Sequence, residues 1–519
     1  MSNKRKVVRA AGVILAFSIV GRLLGFVREQ VIAATFGTSM NTDAYLMAFT
    51  IPNLIYGIIG GALYTAFIPV FTDQDEKGGR PAASRLASTI VNLTVVAMTA
   101  ITIVGVIAAP VLVALLAPGF SPEARGLTVT LTRIMFPCVL LTTLSMLQGG
   151  VLNSLQHFAA PAFTSAAFSA TVILSVYLLV PDMGIYGLAV GTVIAMVAQV
   201  LVQVPPLFGK GLSYSPRISL QNEGVRRIGT MMLPVMIGSA VNQVYIAVDR
   251  ILASTLVEGS IAALNFGNKL MFLPFNLFVA AINTAVFPSL ARLAARDDRQ
   301  GLGQTLVFGL NLIALLTIPA AVGLFVLAEP IVRLLFEHGA FDARSTSMTV
   351  FALNFFLVGL FCHGANNIMN RTFYSLKDTL TPMKVSIFVV LLNIAFSLIL
   401  IRFLQHGGLA LANSLAATVN MLIAYWLLRK RIPDLPEKQL AATLVKVLTA
   451  GLLMGISVHL LNGYLASMFD VSRLLGQILH VGCCITFGGL LYFVLTLLFQ
   501  VDEVVYAINR LRQRFSAAD

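Results

Sequence analysis

The sequence predicts an all-α integral membrane protein of about fourteen transmembrane helices: two pseudo-symmetric six-helix lobes followed by two additional C-terminal helices. Three observations predict it. The composition is that of a membrane chain, apolar runs of membrane-spanning length recur along its whole length, and the chain resembles itself when shifted by about 220 residues.

Of 519 residues, 58% are hydrophobic and only 11% charged, with a mean hydropathy of +0.88. A soluble domain carries roughly 25% charge, so a soluble enzyme or binding module is excluded. The net charge of +13 is scattered over many short segments, which speaks against a nucleic-acid-binding domain. Cys138, Cys362, Cys483 and Cys484 all lie in apolar runs without metal or disulfide spacing and read as packing residues. Lys4, Arg5, Lys6 and Arg9 precede an apolar run as in a signal peptide. No small-residue cleavage site follows, so the run is expected to be retained as the first helix.

A spanning helix needs roughly 20 mostly apolar residues. In order, the candidates are 10–34, 43–71, 87–116, 127–152, 160–181, 184–208, 228–256, 262–290, 305–328, 346–370, 382–404, 408–429, 440–463 and 474–499, separated by Pro, Gly and charge clusters. Alternation from a cytoplasmic N-terminus puts the basic clusters Lys4–Arg9, Lys77–Arg85, Lys210–Arg227, Arg292–Arg299, Arg371–Lys377, Arg429–Lys438 and Arg510–Arg514 on the inner side. The opposite side keeps only Arg125, Arg333, Arg344, Arg402 and Arg473. This asymmetry is the positive-inside pattern and predicts both termini in the cytoplasm.

The internal repeat aligns Val31–Thr35 with Ile251–Thr255, Ser154, Leu155 and Pro161 with Ser375, Leu376 and Pro382, and Gly187–Ala189 with Gly408–Ala410. The predicted organisation is an N-terminal lobe over 1–208, a C-terminal lobe over 209–431, two further helices over 432–500 and a cytoplasmic amphipathic tail over 501–519. In that tail Val504, Val505, Ile508 and Leu511 fall opposite Arg510 and Arg514. Two parallel six-helix repeats flank a cleft and imply transport by alternating access.

Six basic residues fall within the spans: Arg22, Arg28, Arg133, Arg250, Lys269 and Lys446. Each costs about 2.5–3.5 kcal/mol at the bilayer centre unless it meets water or a partner. Arg133 and Lys446, near span ends, are expected to reach the interface. Arg22, Arg28 and Lys269 lie deeper and outnumber the acids available, which are Glu29, Asp43 and Asp249. They are expected to face a hydrated cleft suited to a phosphate or diphosphate. Because adjacent residues point different ways on a helix, Arg28 is not expected to pair with Glu29, nor Arg250 with Asp249. Pro52, Gly57, Gly60 and Gly61, like Pro274, mark bends or close helix contacts. His157 and His363 have no companions at metal spacing, and no catalytic constellation or phosphate loop is present, so no enzymatic activity is expected.

Several stretches resemble the MurJ (MviN) lipid II flippases: Gly21–Glu29 (GRLLGFVRE), Phe36–Thr38, Thr42–Leu54 (TDAYLMAFTIPNL), Ala66–Val70, Ala117–Phe120, Phe287–Leu290 and Phe373–Thr379 with Pro382. The resemblance covers most of the chain and implies the multidrug/oligosaccharidyl-lipid/polysaccharide exporter fold. It implies a bacterial inner-membrane transporter, a monomer, that moves lipid II, an undecaprenyl-diphosphate disaccharide-pentapeptide, to the outer leaflet for peptidoglycan synthesis. Its last two helices are implied to form a groove for the lipid tail. Carried over by position, the substrate-binding residues are Arg22, Arg28, Glu29, Asp43, Asn53 and Lys269, the last standing where arginine is usual. Asp249 matches an acid that binds sodium in some members. Tyr56 and Gly57 stand where family members often carry arginine. Other lipid-linked oligosaccharides, and cationic drugs exchanged for a cation, are the alternative cargoes.

Overall fold

The computed structural model describes residues 3–219, 221–432, 435–506 and 508–509, with side chains described from residue 16 onward except at Ala280. Among these residues every regular element is a helix. They are α1 (Asn3–Phe36), α2 (Met40–Leu116), α3 (Pro122–Met135), α4 (Cys138–Ser154), α5 (Ala159–Met183), α6 (Ile185–Gly209), α7 (Glu223–Ser254), α8 (Ser260–Pro274), α9 (Ala280–Ala295), α10 (Arg299–Val326), α11 (Ala328–Phe336), α12 (Ala343–Leu357), α13 (Leu360–Ser375), α14 (Leu380–Arg431), α15 (Glu437–Met468) and α16 (Leu474–Leu498). A π-helical turn, Phe275–Val279, joins α8 to α9.

Nine helices among the described residues are long and apolar enough to cross a membrane, or eleven when two bent pairs count as one span each. One pair, α8 with α9, bends by 45° at residue 280, just beyond the π-helical turn Phe275–Val279 that follows Pro274. The other, α12 with α13, bends by 44°. The 77 residues of α2 would run about 115 Å as one rod, several times a bilayer core. The helix breaks at Gly79 (φ 68°, ψ 179°), and the 52 residues of α14 break likewise at Gln405.

The duplication is written into the backbone. Gly184, between α5 and α6, adopts φ 57°, ψ −137°. Its repeat equivalent Gln405 adopts φ 51°, ψ −130°. Gln156 and its equivalent Lys377 both sit at positive φ, 56° and 58°. A Cβ on Gly187 would lie 2.6 Å from the carbonyl oxygen of Leu179, and one on Gly408 would lie 2.5 Å from that of Leu400. Both turns close on a glycine because only a hydrogen leaves room for the backbone opposite.

Packing divides the chain into two compact units, Met1–Ala262 and Ala263–Asp519. The division falls beyond residue 208, the lobe boundary read from the sequence, because α7 packs along α2 in the first unit. The segment leading into α7 is itself held to α2. Ser84, Ser88 and Asn92 lie four residues apart on one face of α2 and bond the backbone of 213–217 in the manner of a strand edge. Asn92 Nδ2 donates to the carbonyls of Ser215 (2.9 Å) and Arg217 (3.1 Å), and its Oδ1 accepts from the Tyr214 hydroxyl (2.7 Å).

In the second unit α15 packs on α10, with Gly451 and Gly455 against Ile318 and Val322. Lys446 Nζ donates to the carbonyl of Gln500 at 2.8 Å. Of the tail read as amphipathic, Val501 and Val504 are buried and Val505 is exposed. Arg510, Leu511 and Arg514 lie outside the described residues, as do the side chains of Lys4, Arg5, Lys6 and Arg9. Three of the cysteines are buried as packing residues, whereas Cys483 is exposed.

Candidate functional site

α1 carries the first group of candidate residues. Gly21 and Gly25, one turn apart, set α1 close against α5: a Cβ on Gly21 would meet Ser165 at 3.2 Å, and one on Gly25 would lie 3.7 Å from Ser169 Oγ. Small residues at this spacing let helix backbones approach. Arg22, the next residue round the helix, is exposed.

Arg28 is half-buried, and its Nη2 lies 2.5 Å from Oε1 of Glu29, itself 7% exposed. The expectation that these neighbours pair elsewhere is therefore corrected. Their Cβ atoms do diverge, but the arginine arm is long enough to fold back around the helix onto a carboxylate screened from water. The same guanidinium stacks over Phe168 of α5, 5.1 Å from the ring centroid. Between a carboxylate and an aromatic face its plane and direction are fixed.

Asp43 opens α2 after the Ser39 cap. It is 4% exposed and makes two long-range bonds: Oδ2 accepts the Gly259 N–H at 2.7 Å and Oδ1 accepts the Ala262 N–H at 2.8 Å. It thus caps the helical turn beginning at Ser260, where an anion is favoured by unpaired amides and the helix dipole. Gly259 is required for the approach, since it has φ 90° and a Cβ there would lie 2.4 Å from the Thr38 carbonyl oxygen. Both carboxylate oxygens of Asp43 are used in holding backbone.

Further along α2, Asn53 is half-buried just after Pro52. Gly57 does more than bend the helix. Its missing side chain admits the amide of Gln243 from α7, whose Nε2 would stand 2.7 Å from a Cβ. A side chain at 57 would require the flexible end of Gln243 to move aside. Gln243 Oε1 is buried without a hydrogen-bond partner among the described residues. No periodicity in the sequence singled out Gln243 or Phe168. Asp249 and Arg250 are both half-buried on α7. Among the described residues no three His, Cys, Asp or Glu side chains cluster as metal ligands.

In the second unit Lys269 is exposed on α8. A polar network lies between α9 and α13. Asn283 Nδ2 donates to Asn367 Oδ1 at 2.8 Å, Arg371 Nε donates to the same oxygen at 3.2 Å, and the Arg371 guanidinium lies 5.3 Å from the Phe287 centroid. Arg371, counted with the basic loop after 370, is in fact on α13. His363 bonds Asn413 (3.0 Å). The site residues thus separate into an α1 cluster of Arg22, Arg28 and Glu29, the Asp43 clamp, Asn53 beside Pro52, Asp249 on α7, and Lys269 in the second unit.

With this geometry in hand, comparisons place the chain among known proteins. A family model described as lipid II flippase MurJ matches residues 32–480. A lipid II flippase from Burkholderia cenocepacia is 30% identical over 502 residues, covering 93% of this chain and 96% of that protein. Among solved structures, a lipid II flippase in an inward closed conformation superposes with a TM-score of 0.79 at 25% identity, covering 94% of this chain and all of the other. A multidrug resistance transporter of the MATE family in an inward-facing conformation gives 0.69 at 16% identity over 82% of this chain, which shows a shared fold.

Proposed function

Since the chain belongs to the lipid II flippase MurJ family, we propose that it carries lipid II from the inner to the outer leaflet of the bacterial cytoplasmic membrane by alternating access. The observation that carries this reading is the match, in sequence and in fold, to lipid II flippases over nearly the whole chain. The charge inventory supports it: deep cations on α1 and α8 suit a diphosphate, whereas a cationic drug would be repelled.

In this reading the protein acts as a monomer and performs no covalent chemistry. Both termini face the cytoplasm, and the two legs of α2 and of α14, counted separately with α1, bring the spans to fourteen. Arg22, exposed on α1, attracts the diphosphate. Arg28 presents an oriented guanidinium once the headgroup competes with Glu29. Asn53 hydrogen-bonds sugar or peptide groups, and Lys269 supplies positive charge from the second repeat without the bidentate geometry of arginine. The exposed apolar faces of α15 and α16 receive the undecaprenyl tail. For sodium, Asp249 would offer one carboxylate oxygen, but a hard cation takes about six oxygens.

The test is complementation of a flippase-depleted strain, with membrane abundance measured in parallel. Arg22→Ala leaves an exposed position and is expected to reach the membrane at normal levels yet fail to support growth. Normal growth at normal abundance would remove Arg22 from the mechanism. A binding comparison between lipid II and a sugar-diphosphate lipid lacking the peptide separates this cargo from other lipid-linked oligosaccharides.

A further inference from the structure

A pocket of about 370 Å³ opens in the second unit where the chain turns back after α16. It is lined by Phe308 of α10, Gln439 of α15, and Asp502, Glu503 and Tyr506. Glu503 forms its buried wall at 4% exposure, and its Oε1 accepts from Nδ2 of the fully buried Asn311 at 2.6 Å. Glu503 Oε2 and Asn311 Oδ1 are both buried without a hydrogen-bond partner among the described residues. Lys446 of α15 spends its ammonium on the Gln500 carbonyl. On the open side Phe308 and Tyr506 meet edge to face, with ring centroids 6.4 Å apart.

These features are complementary to one chemical group. A buried carboxylate with an unused oxygen demands a positive partner. A second carboxylate at Asp502 and the amide of Gln439 offer further acceptors, and a primary ammonium has three N–H donors to distribute among them. Two aromatic rings at the rim favour an organic cation over a hydrated metal ion. The volume suits a headgroup-sized molecule rather than a bare ion. We propose that this pocket binds a primary ammonium group, and that Glu503 is its principal anchor.

Such an ammonium has two sources, the ethanolamine headgroup of a membrane lipid or a free amine. The lipid source rests on the reading that the C-terminal segment lies at the inner membrane surface; the free amine does not. Binding is measured on the purified full-length protein in detergent and involves no lipid II, so its failure leaves the flippase reading untouched.

The probes are ethanolamine, phosphatidylethanolamine in mixed micelles, and phosphatidylglycerol in the same micelles, at matched sodium chloride. Saturable thermal stabilisation by ethanolamine or phosphatidylethanolamine, but not by phosphatidylglycerol or salt, is expected. Glu503→Gln, which keeps the shape and the Asn311 contact, is expected to weaken the response at least about tenfold. Asp502→Asn, at an exposed position, should weaken it less. A response to ethanolamine alone assigns a soluble amine, and one to phosphatidylethanolamine alone assigns the lipid. No response in the unaltered protein, an equal response to phosphatidylglycerol or salt, or an undiminished response in Glu503→Gln overturns the proposal.

Discussion

Asp43 reads as a substrate residue in sequence and as a structural clamp in three dimensions, and the two roles give different numbers. Replacing Asp43 with alanine removes two charge-assisted hydrogen bonds, to the amides of Gly259 and Ala262 at 2.7 and 2.8 Å. Bonds of this type are worth about 1.5–3 kcal/mol each, and both donors would be left buried. Allowing for local relaxation, Asp43→Ala is expected to cost about 3–5 kcal/mol. Asp43→Asn keeps one acceptor but turns an NH2 toward the other N–H, for a cost of about 2–4 kcal/mol. At about 2 °C per kcal/mol for a unit of this size, the alanine variant should melt roughly 6–10 °C lower in detergent. Limited proteolysis should also cut the 255–259 connection sooner. If Asp43→Asn melted like the unaltered protein while flipping was lost, the clamp would be refuted as its main role and a contact with cargo restored.

Gln405 is exposed and holds φ 51°, ψ −130°, where its repeat equivalent is Gly184; Gln405→Gly should relieve strain of about 1–3 kcal/mol, less up to about 1 kcal/mol of added chain entropy, and raise the melting temperature, while Gly184→Ala lowers it. A lower melting temperature for Gln405→Gly would contradict this. Asn92→Ala removes three hydrogen bonds to the 213–217 segment, about 2–4 kcal/mol together; trypsin should cleave after Arg217 at least about tenfold faster, and an unchanged rate would show the segment is held by other means. Asp378, between α13 and α14, is held below the usual carboxylate range, first by the Thr381 hydroxyl, then by the Thr381 N–H and by Arg431 at 2.5 Å. A depressed carboxyl contributes stability above its unfolded value near 3.9 and loses it as pH falls through the folded value. Asp378→Asn should therefore melt lower at pH 7, with the gap closing in acid below about pH 4; a gap independent of pH would refute the ionic contribution.

What was legible in the sequence depended on whether the determining residue is local. Pro274 precedes the π-helical turn Phe275–Val279, but the 45° bend itself comes at residue 280, where no proline or glycine stands; Gly79 and Gly184 mark breaks that glycine alone makes easy. Gln405 gives no such signal; only its register against Gly184 betrays the turn. The Arg28–Glu29 contact is not legible in the sequence, because helix geometry fixes Cβ directions but not the reach of a long side chain. Asp43 could be flagged as an acid at a helix start, but its partners lie more than 200 residues away and loop amides carry no residue signature. Gln243 was invisible for the same reason: Gly57 reads as a kink until the amide above it is seen. Asn311 is the sequence signal for Glu503: an amide alone in an apolar run is costly to bury unless something bonds it.

The pairing of Arg28 with Glu29 changes how the proposed cationic vestibule works. An unpaired Arg28 would act as a monopole and attract any anion. Glu29 at 2.5 Å cancels most of the Arg28 field at a distance. What Arg28 retains is direction, because Phe168 and Glu29 hold its plane while some of its five N–H donors remain for a ligand. A diphosphate, with more charge and more acceptor oxygens than one carboxylate, competes for those donors at short range, whereas a singly charged anion gains little over Glu29. On the proposed reading, Glu29 thus acts as an internal competitor. It makes capture selective for multiply charged headgroups, and by reclaiming Arg28 it lowers the barrier to release on the far side of the membrane.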